Sequence, residues 1–286
     1  MIQSMTGFGK ASLQLPTKKI TVEVKSLNSK GLDLNTRMPS VYREMELGLR
    51  NQIAQQLERG KIDFSLFIEI TGEETSSKIN VPIIRGYINQ MKAVIGDADE
   101  TELMKMAVRM PDALKTERDE LDENEWKQIQ TVIIEALNNI SEFRQSEGLS
   151  LEKEFSLRIA NIREYLNQAI ALDPERIQII KDKLQTAIAE LKVNIDENRF
   201  EQELIYYLEK LDVTEERVRL TNHLDYFLET ITGNEANGRK LGFITQEMGR
   251  EINTLGSKSN HAEMQKLVVM MKDELEKIKE QVLNVL

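Results

Sequence analysis

The spacing of the apolar residues changes once along this chain, and that change restricts what it can fold into. In the first 70 residues apolar and polar positions alternate. SMTGFGKASLQL and KKITVEVKSLN, separated by a turn signal at Pro16, and later KIDFSLFIEI, read as strands with one buried face. SKGLDLNTRMP supplies a third short extended piece. Between the extended pieces a helix is expected. Ser40 is its N-cap, Val41, Met45, Leu49, Ile53 and Leu57 recur at i+4, and Gly60 closes it. GEETSSKIN (72–80) reads as a loop, and from about residue 82 onward the spacing is helical.

Within the helical part, a break is expected near Met110-Pro111, and the acidic TERDELDENEW reads as a connector into a helix from Trp126. A long charged helix is expected from Phe143 to Leu172. Asp173-Pro174 stops it and starts another running toward Asn194, because Asp caps a helix and Pro suits the first turn. Two long helices about a tight turn predict an antiparallel arm. In the last segment Met264, Leu267, Met271, Leu275, Ile278, Val282 and Val285 share a stripe that must pack on another helix. The expected fold class is therefore α+β. A small N-terminal β-sheet layer with a helix (1–142) precedes a long helical hairpin arm (143–200) and a C-terminal helical domain (201–286).

Composition narrows the function classes. There is no cysteine, so disulfides, thiolate metal sites and cysteine nucleophiles are excluded, as suits a cytoplasmic location. The longest apolar run is about five residues, against the roughly 20 that span a bilayer, so no membrane role is expected. The net charge of −10 is unevenly spread: residues 1–70 carry ten Lys or Arg and seven Asp or Glu. An anion-binding surface is to be sought in that first quarter. No GxxxxGK[ST], HExxH, GxSxG or CxxC is present, so no nucleotide cofactor is expected. The glycines of GFGK are assigned to a turn between strands rather than to a phosphate loop.

Two polar stripes carry the candidate chemistry. In QEMGREINTLGSKSN, residues Glu247, Arg250, Glu251, Thr254 and Lys258 fall on one helical face beside an apolar stripe of Leu241, Ile244, Met248, Ile252 and Leu255. The same pattern, Asp212, Glu215, Glu216, Arg219 and His223, lies in LDVTEERVRLTNHLDYFLE. Each stripe can be read as exposed i,i+3 and i,i+4 ion pairs, with Asp212 as an N-cap and Glu215 as its capping-box partner. If the helices instead pack along Leu220, Leu224 and Phe227 against Ile244, Met248 and Ile252, the stripes line one groove. Its carboxylates could hold a divalent metal and its arginines a phosphate, which suits phosphodiester cleavage. Lys25, Lys30, Arg37, Arg59 and Lys61 would track a nucleic-acid backbone only if they converge beside that groove.

SMTGFGKA, EVKSLNSKGLDLNTRMP, LERGKIDFSLFIE, RQSEGLSL, DENRFEQELIYYLEKLDVTEERVRLTNHLDYF and QEMGREINTLGSKSNHAEM occur in the order found in the YicC/YloC family of bacterial stress-associated proteins. The chain resembles that family from Met1 to Val285. The resemblance implies a cytoplasmic endoribonuclease that depends on a divalent metal (Mn2+ or Mg2+) and assembles as a hexameric ring around RNA. Carried onto this sequence, the signature falls on Ser4, Met5, Thr6, Gly7, Asn28, Arg37, Arg59, Gly60 and Lys61. It continues at Glu203, Asp212, Glu215, Glu216, Arg219, His223, Glu247, Arg250, Glu251, Asn253, Ser257 and Lys258. Residues 72–135 show no family motif, and Gly249 stands where a bulkier residue is usual.

The expected roles follow from these readings together. Glu215, Glu216, Glu247 and Glu251 would bind the metal, and Glu216, His223, Glu247, Arg250 and Glu251 would form the catalytic set. Lys25, Arg37, Arg59, Lys61, Arg219, Asn253 and Lys258 would bind RNA. Two alternatives remain open. One is a metal-independent ribonuclease using His223 and His261 as base and acid; the other is an RNA-binding adaptor without nuclease activity.

Overall fold

The computed structural model describes residues 2–71, 78–96, 99–115, 123–191, 197–233 and 238–286. The expected TERDELDENEW connector and the GEETSSKIN loop fall largely outside these residues. The alternating segments form strands β1 (Gly7–Gln14), β2 (Lys18–Leu27), β3 (Leu32–Arg37) and β4 (Gly60–Ile70). They make one sheet in the order β1-β2-β4-β3, with β3 parallel to β4 and the other pairs antiparallel. Period 2 places Ile20, Val22 and Val24 of β2 and Ile62, Phe64 and Leu66 of β4 on one buried face. The opposite face carries Lys25, Lys61 and Arg37, which are exposed.

Helix α1 (Glu46–Leu57) covers the buried face with Leu49, Ile53 and Leu57, the expected i+4 stripe. Its boundaries differ from expectation. Ser40–Met45 form a 3-10 turn without a side-chain cap, and the helix ends at Leu57, where Glu58 takes φ 50°. Gly60, at φ 127°, opens β4 instead of closing α1. Gly7 and Gly9 lie inside β1, not in a turn. A Cβ on Gly9 would stand 2.2 Å from Ala136 O, so the glycine lets a helix lie directly on the strand.

That helix is α4 (Glu123–Ala171), unbroken for 49 residues, about 74 Å at 1.5 Å per residue. Its first half (Trp126, Ile129, Val132, Ile133, Ala136, Leu137, Ile140) seals the sheet core. Its second half (Leu151, Phe155, Ile159, Ile162, Leu166) enters a separate helical core. Between the two lies Arg144, which is 2% exposed and donates to Leu57 O (3.1 Å), Met5 O (3.3 Å), Arg59 O (3.2 Å) and Ser26 Oγ. Beside it the two ends of the described chain pair. Met5 N donates to Asn284 O (2.7 Å) and Leu286 N to Gln3 O (2.9 Å), while Gly148 gives the 2–5 segment room to cross α4.

Helices α2 (Val81–Ile95) and α3 (Glu100–Ala107) build a satellite around Ile84, Ala107 and Ala113. It also contains a two-residue strand pair, β5 (Lys78–Ile79) with β6 (Leu114–Lys115), the first at the end of the expected loop and the second within the part whose spacing reads as helical. The chain breaks at Leu172 and resumes as α5 (Asp173–Leu191), the expected helix–turn–helix. The two helices lie close only beside the turn. What anchors α5 is Arg176, 1% exposed, which bonds Asp173 Oδ1 (2.8 Å) and Lys258 O (2.9 Å). After α6 (Glu197–Lys210), helices α7 (Thr214–Thr232), α8 (Gly238–Lys258) and α9 (Ala262–Val282) join the second half of α4 as a four-helix layer. Leu220, Leu224 and Phe227 meet Ile244, Met248 and Ile252 in that core, the packing expected if the stripes are neighbours. Phe227 stands edge-on to Phe155 at 5.5 Å.

Candidate functional site

Apolar faces set the register of α7 on α8, and the polar stripes follow from it. With the seam buried, the residues a quarter turn away must lie along its edge. The ends come together first. Lys258 Nζ donates to Glu216 Oε1 (2.7 Å) and to Asp212 O (2.8 Å). One stretch along, Arg219 pairs with Glu215 on its own helix and reaches across to within 4.0 Å of Glu251 Oε1. The stripes therefore do face each other. Glu216 and Glu251 are both 5% exposed, so their side chains lie in the protein, and Glu216 Oε2 has no hydrogen-bond partner.

Asp212 precedes the helix. Its carboxylate accepts from Thr214 Oγ1 (2.8 Å) and Thr214 N (3.2 Å); these bonds, chiefly the hydroxyl's, hold it below the usual carboxyl range. The expected capping box does not form, because Glu215 turns to Arg219. His223 is half-buried on α7, seven residues or about 10 Å of helix rise beyond Glu216. His261 serves elsewhere. Its Nδ1 accepts from Met264 N (3.4 Å) as the cap of α9, and its Nε2 lies 3.9 Å from Glu175 of α5. Of the two imidazoles of the metal-free alternative, His261 is thus engaged as the cap of α9.

The metal expectation can be tested on the donor set. Among the described residues, no three His, Asp or Glu side chains gather closely enough to hold a metal ion. Each of the four expected acids has a cation beside it: Glu215 and Glu251 have Arg219, Glu216 has Lys258, and Glu247 has Arg250 at 4.0 Å. The described residues of a single chain do not fit a divalent cage.

On its other flank α8 borders a groove. One part, about 720 Å³, is lined by Gln246, Glu247, Gly249, Arg250, Asn253 and Thr254 of α8 with Lys279 and Leu283 from the α9 end. A second part, about 620 Å³, is lined by Met5, Asn28, Lys30, Arg59, Arg239, Phe243 and Val285. Gly242, Gln246, Val282 and Leu283 line both, so the two parts are continuous. A chain of net charge −10 here sets Lys30, Arg59, Arg239, Arg250 and Lys279 around one groove, where Glu247 is the one carboxylate among the described lining residues and Lys279 also pairs with Glu276 at 2.7 Å. Such a lining suits a polyanion.

The expected RNA-binding residues separate into three places. Arg59 and Asn253 line the groove. Arg219 and Lys258 are engaged in the α7–α8 seam, and Lys25, Arg37 and Lys61 lie on the open sheet face, where Lys25 sits 3.7 Å from Glu23. Of the basic residues in the first quarter, Arg59 and Lys30 are the ones that converge on α8. Arg59 is aimed there by its own loop: its Nε donates to Ser29 O (2.9 Å) and its carbonyl is held by Arg144.

Arg239, Phe243, Gln246 and Lys279 did not stand out in the sequence. The first three, with Arg250, fall at i, i+4, i+7 and i+11, a third stripe on α8 that could have been counted. Lys279 lies outside the apolar stripe of α9. It crosses α8 at Gly249, where a Cβ would meet Leu275 Cδ2 at 3.3 Å and Lys279 Nζ at 3.6 Å. The glycine that departs from the family pattern thus makes room for a groove cation.

Comparison with known proteins covers both halves of the chain. Residues 2–153 match the family described as endoribonuclease YicC-like, N-terminal region, and residues 169–286 match endoribonuclease YicC-like, C-terminal. A probable endoribonuclease YicC of Clostridioides difficile is 32% identical over 293 residues, covering 100% of each chain. A probable endoribonuclease YicC of Haemophilus influenzae is 29% identical over 287 residues, covering 99% of each.

Proposed function

The chain belongs to the YicC-like endoribonuclease family, and on that premise we propose that it cleaves RNA phosphodiester bonds in the groove along α8. The observation that carries this reading is the lining itself: among the described residues, five cations and one carboxylate in a continuous groove of a strongly acidic chain. Phosphates bind along Lys30, Arg59 and Arg239, and the scissile phosphate lies between Arg250 and Lys279. There the two cations stabilise charge developing on the phosphoryl oxygens. Glu247, beside Arg250, is the carboxylate positioned to take a proton from the attacking hydroxyl or water. The α7–α8 seam, through Lys258–Glu216 and Arg219–Glu251, fixes the helix that carries these groups.

Homogeneous protein is tested on a labelled RNA beside Arg250→Ala and Glu247→Gln, purified identically. Cleavage that falls at least about tenfold in both variants, which remain folded, supports the assignment. Unchanged cleavage in the variants rejects it, and RNA binding without cleavage in the parent protein favours the adaptor reading. The ends of the products decide on the expected Mn2+ or Mg2+. Ends carrying 5′-phosphate, with activity lost in EDTA, require a metal held with donors from beyond the described residues of one chain. A 2′,3′-cyclic phosphate and indifference to EDTA leave the reaction to the protein's own groups.

Assembly of copies into a ring, and residence in the cytoplasm, are further parts of the proposal. One chain leaves Ile205, Tyr206 and Tyr207 of α6 at 57%, 63% and 42% exposure, apolar surface of the kind that subunit contacts cover. The solution mass of a Tyr206→Glu variant, compared with the parent, tests that contact. No helix among the described residues is long and apolar enough to cross a membrane.

A further inference from the structure

We propose that the groove selects unpaired RNA by stacking a base on Phe243, an inference that rests on the groove binding RNA. Phe243 is 63% exposed, though it belongs to a helix whose apolar face is otherwise buried in the core. It does not lie on that face. It sits one helical turn from Arg239 and nearly one turn from Gln246, with Arg250 a turn further, so a single stripe presents cation, aromatic ring, amide and cation to the groove. Leu283, 64% exposed, stands in both parts of the groove with it.

An apolar ring in a cationic channel has a specific chemical use. Phosphates satisfy the cations and leave the bases to be placed, and a base has a flat apolar face that pairs well with an aromatic ring. In a duplex that face is occupied by its neighbours. Only an unpaired or extruded base can present it, so a groove built this way discriminates by strand state and not by sequence. Gln246, next along the stripe, can donate to and accept from the edge of a stacked base.

The test measures binding of a short 2′-fluoro single-stranded RNA, and of the same strand annealed to its complement, by anisotropy in the presence of chelator. Phe243→Ala is expected to weaken the single strand by about 5- to 150-fold, the loss of one base–aromatic stack, and to leave the duplex unchanged. Phe243→Tyr retains the binding. Abasic substitution scanned along the strand costs the parent protein affinity at one position and costs Phe243→Ala nothing there. Equal binding of the single strand by Phe243→Ala and parent overturns the proposal, as does an equal loss for strand and duplex. A fall in the solution mass of Phe243→Ala also overturns it, by assigning the ring to a subunit contact. Arg250→Ala separates this from the underlying reading: it should weaken both probes, and if it weakens neither, the RNA groove itself is refuted.

Discussion

Replacing Arg144 by Met tests whether one buried guanidinium holds the sheet core, the 2–5/284–286 pairing and the α8 groove in register. The size of the effect can be worked from the acceptors. Met5 O keeps a donor when Arg144 is lost, because Ser26 Oγ donates to it at 2.6 Å. Leu57 O keeps the Arg59 amide at 2.5 Å. Arg59 O accepts from Arg144 alone and is orphaned, at a cost of about 1–3 kcal/mol. Against this, the Arg144 Nε–H has no partner, and burial without a carboxylate contact already pushes the guanidinium below its ordinary pKa, so removing it relieves some desolvation. Adding the lost charge-assisted bonds, the net destabilisation should be about 2–4 kcal/mol. Urea unfolding of parent, Arg144→Met and Arg144→Lys measures it, and Lys, with a shorter reach and no fork, should recover less than half. A second readout separates positioning from bulk stability. Below the unfolding transition, Arg144→Met should weaken RNA binding no more than Arg59→Ala does, and the double variant should match Arg59→Ala alone. A shift under about 0.5 kcal/mol, or full rescue by Lys, would refute the reasoning.

Further outcomes are expected elsewhere. Lys258→Met strands the buried Glu216 carboxylate and should cost about 3–5 kcal/mol, most of it recovered in the Lys258→Met/Glu216→Leu double variant; a double-mutant cycle by urea melting checks this. Burial opposes the charge of Glu274, but bonds from Lys277, Asn161 and Arg158 outweigh it and hold the carboxyl below its ordinary 4.5. A depressed folded pKa means stability that is present above the unfolded value and lost as pH falls through the folded one. Glu274→Gln should therefore be less stable than the parent at pH 7, and the difference should close below the ordinary carboxyl range. Gly9→Ala forces a methyl to 2.2 Å from Ala136 O and 2.7 Å from Ile140 N, both backbone, and should lower stability by at least about 1–3 kcal/mol. Gly48→Ala, in α1 with nothing within 4 Å, should raise the melting midpoint, a gain of about 0.5–1 kcal/mol.

Burial that repeats along the chain was legible without coordinates. Val22 and Val24, Ile53 and Leu57, and Leu224 and Met248 announce themselves because each follows a period set by its own element. The continuity of α4 was not legible. At its midpoint the buried positions are Arg144 and Gly148, one chosen for four carbonyl and hydroxyl acceptors and the other for the Ile2 carbonyl pressed against it. Neither registers as core in an apolar count. Gly7 and Gly9 were misread for a related reason: they are small because a helix lies on them, and only the tertiary neighbour shows it. In the site, the two polar stripes could be counted and their apposition anticipated. Their charges could not be assigned in advance, because Lys258 and Arg219 meet the acids across helices, not along them. The groove was the least legible part, since Lys30, Arg59, Arg250 and Lys279 come from segments up to about 250 residues apart and share no local pattern.

The pairing of residues 2–5 with 284–286 ties the groove to the longest-range contacts of the fold. Met5 N is satisfied only across about 280 residues, by Asn284 O, and the groove wall at Leu283 and Val285 belongs to the same few residues. The sheet and the first half of α4 find their partners over shorter separations, so the sheet core can form while the groove still lacks a wall. Local opening of the 2–5/284–286 pairing would accordingly loosen the wall formed by Leu283 and Val285, leaving Arg59 and Arg239 facing an open side while the sheet core stays intact.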